Sequence, residues 1–367
     1  MNGASWGGSE SLWADAAAAA MQAGHAVAIV TYAWPHLAGP LLQLKRKGAL
    51  LLHQRRQPGC FGRKLEKVVT LWPKLRRWRP DAICVSQGNC FDLALQWQVA
   101  RGIKILAAPY TVLCQHNFDD RVLSDAVRLA ARDLFQQASC VAFVAERNRE
   151  IAERQLACCL DHATILRNPV NVRVDGPLPW PHSTGIVEFA SVARLEANFK
   201  GQDVLLDVLS RSPWTDRPWK LTFYGEGPDR AYLGDLAASR GLGHKVNFAG
   251  FVSDIDSVWR KSHLQLLPSR SEGTPLSLVE AMLCGRPAVV TDVGGNREWV
   301  HEPDNGFTAE AASRCSFGAA LERAWAARSQ WPAMGLQAHH TADQLVDRKP
   351  GHSLLQLLLR AVEVLSP

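Results

Sequence analysis

The sequence predicts an α/β protein of two Rossmann-like domains, each a parallel sheet covered by helices. Three observations carry this. The 367 residues exceed one ordinary domain and suit two. Short apolar, β-rich runs alternate with longer helical patterns from end to end. The stretch 175–184, with three prolines and a glycine, breaks that alternation near the middle and reads as a linker.

Taken in order, the strands expected in the first half are Ala26–Thr31, Asp81–Ser86, Ile103–Ala107 and Ser139–Ala145. Those in the second half are Ile186–Ala193, Lys220–Tyr224, Lys245–Phe248, His263–Leu267 and Pro287–Thr291. Segments such as Gln202–Ser210 and Asp229–Arg240 carry apolar residues at helical spacing between them. Strands buried on both faces and separated by helices form parallel sheets. A first domain is expected over 1–175 and a second over 176–345. A C-terminal helix over 346–367 is expected to pack back on the first. The opening is irregular. Trp6-Gly-Gly-Ser-Glu10 precedes a helix from about Ser9 to Ala23, closed by Gly24, yet the strand that should feed this turn is absent. The expectation is a truncated start or a smaller first domain.

Composition narrows the function. No run reaches the roughly 18 apolar residues of a membrane span. The Ala-rich stretch Trp13–Ala23 contains Asp15 and has no preceding Lys or Arg, which argues against a signal peptide. Nine scattered cysteines without a CxxC pair read as reduced, buried thiols and place the chain in the cytosol. The net charge of +6 is unevenly spread: Lys45 to Arg79 holds twelve Lys/Arg and one acid, Glu66, interleaved with Phe61, Trp72 and Trp78. Such a segment is either a solvated helical face or a contact for an anionic partner, such as an inner membrane face or a phosphate-bearing acceptor. No recognised nucleic-acid-binding motif surrounds it, which argues against nucleic acid.

The richest segment runs from Ser269 to Gly285. It follows an apolar strand and becomes a helix, with Thr274 suited to the N-cap, Pro275 to the first turn and Gly285 to the stop. Free N–H groups at that start, with the helix dipole, suit a phosphate. Glu272 precedes the helix and Glu280 lies inside it. Each carboxylate can accept hydrogen bonds from neighbouring sugar or ribose hydroxyls. The same residues also suit a plain helix, with Glu272 favoured by the dipole and Glu280 on the solvent face. A second group, Arg194 and Lys200, follows a strand at the end where open α/β sheets bind ligands. Two fixed cations there can neutralise a diphosphate leaving group. Two weaker signals are the turn Tyr224-Gly225-Glu226-Gly227-Pro228, which admits close backbone approach, and Phe251-Val252, which can face a flat base.

In this order and spacing the segments resemble the family 4 glycosyltransferases, retaining enzymes of the GT-B fold. The most specific element is the Glu-x7-Glu pair, Glu272 and Glu280, followed by Gly285-Arg286-Pro287 and Asp292-Val-Gly-Gly295. The resemblance implies that Arg194 and Lys200 contact the donor diphosphate, Glu280 the ribose and Glu272 the donor sugar. Gly225 and Gly227 fall on the donor side as well. Gly273, Thr274, Pro275 and Leu276 would cradle phosphate and sugar, and Phe251 and Val252 would border the base. In the first half, Gly7-Gly8-Ser9-Glu10 resembles the family's first glycine loop. Tyr110 to His116 resembles its segment ending in a histidine near the donor sugar. Asn168 fits the family's Asn-Gly-Val-Asp turn, whereas Pro169 and Asn171 depart from it.

The resemblance implies sugar transfer with retention, by front-face attack on a nucleotide-sugar donor and without metal or other cofactor. The acceptor class stays open among glycan, lipid-linked sugar and small molecule. Two rivals remain: a nucleotide-sugar epimerase or phosphorylase-like enzyme on the same fold, and a non-catalytic nucleotide-sugar binder.

Overall fold

Twelve strands form among the described residues, wherever β-branched, aromatic or leucine-rich runs can be covered on their faces. The computed structural model describes residues 6, 8–54, 75–88, 93–117, 121–172, 174–182 and 185–363. The chain divides into two compact units, one comprising 1–169 with 347–367 and the other Val170–Val346.

The first unit contains β1 (Ala28–Tyr32) and β2 (Leu50–Gln54), paired in parallel with Ala28 opposite Leu50. A separate parallel sheet joins β3 (Ala82–Gln87), β4 (Tyr110–Gln115), β5 (Cys140–Phe143) and β6 (Ala163–Ile165) in that order. Among the described residues no strand joins β1 to β3. The helix Gly8–Gln22 serves both sheets. Its Leu12 and Ala16 pack with Val112 and Cys114 of β4, while its Ala14 packs with Ile29, Leu41 and Leu44. The last helix, Pro350–Glu363, lies against it, with Gly351 so close to Asp15 that a Cβ would meet that side chain at 2.5 Å.

One expected strand fails here. Ile103–Ala107 is not a strand but the end of the helix Leu93–Leu106, because Val99, Ala100 and Ile103 share a helical face against the core. The buried strand that follows is β4. β2, whose leucines sit inside the basic stretch, and the three-residue β6 form where no strand was expected. Of the thiols expected to be buried, Cys159 and Cys315 are exposed.

The second unit holds β7 (Val187–Val192), β8 (Trp219–Tyr224), β9 (Val246–Gly250), β10 (Leu264–Leu267), β11 (Ala288–Thr291) and β12 (Gly306–Ala309). They form one parallel sheet in the order β12-β11-β10-β7-β8-β9. Period-two alternation divides the strands between two core layers. Phe189, Leu266 and Val289 point into one layer with Trp214, Trp219 and Phe317. Ala190, Leu267 and Val290 point into the other with Trp259, Met282 and Trp299.

The proline-rich stretch does not behave as a free linker. The boundary falls earlier, at Pro169–Val170, and Leu178 and Trp180 pack on the second unit. Arg286 is the reason. Its guanidinium is fully buried and donates to the carbonyls of Pro179 (2.7 Å), Trp259 (2.8 Å), Cys284 (3.0 Å), Gly285 (3.1 Å) and Leu178 (3.3 Å). It also lies 5.2 Å from the Trp180 ring centroid. Desolvation pushes its pKa down to about 10, so it stays charged at neutral pH. Removing it leaves several buried carbonyls unpaired. Arg286→Met is therefore expected to lower stability by about 3 kcal/mol or more. Urea unfolding followed by tryptophan fluorescence checks this, and an unchanged midpoint would contradict it.

Candidate functional site

The strand order creates a switch point. From β7 the chain runs outward to β8 and β9, then returns to place β10 on the other side of β7. Loops leaving the carboxyl ends of β7 and β10 therefore diverge, and such crevices are where open α/β sheets bind ligands. The first loop leads into the short helix Ala197–Lys200, and the second into the helix Leu276–Leu283.

The chain's own polar groups stitch these loops together. Arg270 and Ser271 N–H groups donate to the Phe199 carbonyl at 2.8 and 3.3 Å, and the Arg270 guanidinium donates to the Ala197 carbonyl at 2.6 Å. The same guanidinium forms a two-pronged pair with Asp203 at 2.7 and 2.8 Å. Buried Gln202 donates to the Arg194 carbonyl at 2.8 Å. As a result Lys200 Nζ lies 2.7 Å from both oxygens of Glu272. Ser269 Oγ donates to Glu272 Oε1 at 2.6 Å, completing the support of a carboxylate that is only 5% exposed. Arg194, on the same loop as Lys200, pairs with Glu196 at 3.1 Å.

Glycines let the neighbouring turns close on these loops. A Cβ at Gly225 or Gly227 would strike the carbonyls of Ala193 and Leu195, so the close approach these residues permit is to the Arg194 loop itself. Gly294, with φ +51°, backs onto the Glu272 carbonyl, and Gly295 N–H donates to the Gly273 carbonyl at 2.7 Å. The turn Asp292–Gly295 thus holds the Glu272-Gly273 backbone from outside.

The helix start differs from expectation by one residue. Pro275 takes the N-cap place with extended backbone, and Leu276 is the first helical residue. Thr274 precedes a proline and is held out of helical geometry for that reason. The first N–H groups of such a helix have no intrahelical acceptor and face an anion site. Glu280 corrects the plain-helix alternative, since it is 3% exposed rather than on a solvent face. Its Oε1 accepts from Asn171 N–H at 3.0 Å and Asn171 Nδ2 at 2.8 Å. Burial raises the Glu280 pKa, the Asn171 bonds lower it and nearby Asp256 raises it further. At the end of β9, Phe251 is 74% exposed while Val252 packs partly into the core.

Arg194, Lys200, Glu272, Gly273 to Leu276 and Glu280 thus belong to one unit, with the Gly225–Gly227 turn against the Arg194 loop. His116 and Gly8 belong to the other unit, where Gly8 opens the first helix; Gly7 lies outside the described residues. Ser269, Gln202 and Asn171 are supporting residues that sequence reasoning did not assign to the site.

His116 follows β4, and its Nε2 lies 2.9 Å from Ser86 Oγ. Burial pushes its pKa down to about 4, partly offset by the Asn168 side chain. The folded protein therefore favours neutral imidazole, while the unfolded chain takes up a proton near 6.5. The stability from this group is complete above about pH 6.5 and is lost as pH falls towards 4. His116→Gln is expected to lose less melting temperature than the parent across that interval. Identical pH slopes in differential scanning calorimetry would contradict this.

Residues 181–331 match the family model for glycosyl transferases group 1. An uncharacterized glycosyltransferase of Haemophilus influenzae is 32% identical over 114 residues, covering 31% of this chain and 32% of that protein. The D-rhamnosyltransferase WbpZ of Pseudomonas aeruginosa is 31% identical over 152 residues, covering 40% of this chain and 38% of WbpZ. The chain thus spans less than half the length of these curated relatives. In three dimensions, HepE of Anabaena, solved in complex with UDP, superposes with a TM-score of 0.73 at 18% identity, covering 100% of this chain and 98% of HepE. That likeness shows the fold, α/β with Rossmann-like parallel sheets as in GT-B glycosyltransferases. The segment that carries Arg194, Lys200, Glu272 and Glu280, residues 181–331, is a glycosyl transferases group 1 domain.

Proposed function

We propose that the chain transfers a sugar from a nucleotide-sugar donor to a glycan, lipid-linked or small-molecule acceptor, with retention at the anomeric carbon, as in family 4. The observation that carries this reading is the contact of Lys200 with Glu272 beside the helix start at the switch point. A diphosphate placed at that helix start meets N–H groups, with Lys200 and Arg194 on the adjoining loop. Glu272 accepts hydroxyls of the donor sugar, and Glu280 those of the ribose. Phe251 and Val252 border the base.

In the reaction, the bond from the anomeric carbon to the diphosphate oxygen breaks and its electron pair leaves with the nucleoside diphosphate. The acceptor hydroxyl attacks the same face, and its proton passes to the departing phosphate oxygen. Positioning and charge stabilisation carry the catalysis, with the two cations in the place a metal takes elsewhere. The group 1 domain match and the named activities of the relatives support this reading. Glu272→Ala and Lys200→Ala are each expected to reduce transfer, and slow donor hydrolysis, by roughly 10²–10³-fold. Unchanged turnover in both overturns the assignment, and donor binding without either reaction in the parent protein indicates a non-catalytic homologue.

We also propose a peripheral contact with the anionic inner face of a membrane. No helix among the described residues is long and apolar enough to cross one. Lys45, Arg46, Lys47, Arg76, Arg77 and Arg79 are exposed. Lys47 and Trp78 line one groove of about 300 Å³ with Met21, Val27 and Leu50, which brings the two basic stretches together. The remainder of the basic segment, residues 55–74, lies outside the described residues. Flotation with phosphatidylglycerol vesicles at low salt is expected to carry the protein, with release as salt rises. Failure to float at low salt rules the contact out.

A further inference from the structure

We propose that Asn171 is a positioning residue for Glu280, occupying one carboxylate oxygen so that the other is turned to the hydroxyls of the donor's ribose. This rests on the donor-site reading above. Asn171 is the second residue of its unit, and 109 positions separate it from Glu280. Its backbone N–H and its side-chain amide converge on the same atom, Glu280 Oε1, at 3.0 and 2.8 Å. A carboxylate oxygen accepts along two lone pairs, so Oε1 is fully used. Among the described residues no hydrogen bond reaches Oε2. The carboxylate is therefore fixed in rotation, with one oxygen committed to the protein and the other open.

The residue type matters as well as the contact. Glu280 is almost fully buried, and Asp256 places a second carboxylate nearby, so both effects favour the protonated acid. A protonated acid would present a donor to hydroxyls that need an acceptor. Asn171 opposes this with two donors and no charge. Asn171 is itself exposed, and the flanking Val170 and Val172, not Asn171, pack into the core. Its role is thus separable from folding.

The test uses the full chain with UDP, GDP and ADP and their 2′-deoxy counterparts in calorimetric titrations. The parent protein is expected to prefer at least one ribonucleotide over its deoxy form. Asn171→Ala and Asn171→Leu are each expected to weaken that ribonucleotide about tenfold while changing the deoxy form about twofold or less, which erases the preference. Melting temperatures near that of the parent show that both variants are folded. Equal losses for the ribo and deoxy forms, or a preference that survives in both variants, overturn the proposal while leaving the donor site standing. No ribose preference in the parent, together with no effect of Glu280→Gln, overturns the donor-site reading on which it rests.

Discussion

Lys200 and Glu272 come from loops 72 positions apart, yet the ammonium lies 2.7 Å from both carboxylate oxygens. A carboxylate so nearly buried is costly unless it is paired and hydrogen-bonded. Lys200 and Ser269 meet that requirement, and the sheet order makes it possible. Only because β10 returns beside β7 do the two loops start from neighbouring strands. Arg270, spanning from the Ala197 carbonyl to Asp203, keeps them in register. With the pair in place, a cation and a carboxylate stand together beside a helix start.

The rest of the second unit holds this arrangement rigid. Two core layers clamp the sheet from both faces, with the tryptophans 219, 259, 299 and 331 among the largest fully buried side chains. Turns that carry no ligand-binding side chain still shape the site. Gly225 and Gly227 press on the Arg194 loop and Gly294 on the Glu272 backbone, and in each case a Cβ would force the loops apart. Arg286 acts at greater distance, fixing the entry segment to the far end of the helix that begins at Leu276.

What the sequence revealed follows from how local each feature is. Strands β7, β8, β10 and β11 were legible because each is a short apolar run in a unit whose helices also announce themselves. That Arg194, Lys200 and Glu272 lie on loops leaving the carboxyl ends of strands was legible from their place after an apolar run. Ile103–Ala107 misled because a five-residue, mostly apolar run suits either a strand or the last turn of a helix, and only the neighbours Val99 and Ala100 decide. The proline-rich stretch misled because its anchor, Arg286, lies about a hundred positions away. Asn171 was visible only as a departure from a family turn, and its meaning needed the fold to bring Glu280 beside it.

The account turns on where a diphosphate sits. A crystal structure with a nucleoside diphosphate bound tests this most directly. The prediction is phosphate oxygens within hydrogen-bond distance of Lys200 Nζ and of the first backbone N–H groups of the helix Leu276–Leu283. Density for the diphosphate away from that helix start, with the Lys200–Glu272 pair left undisturbed and uncontacted, would contradict it.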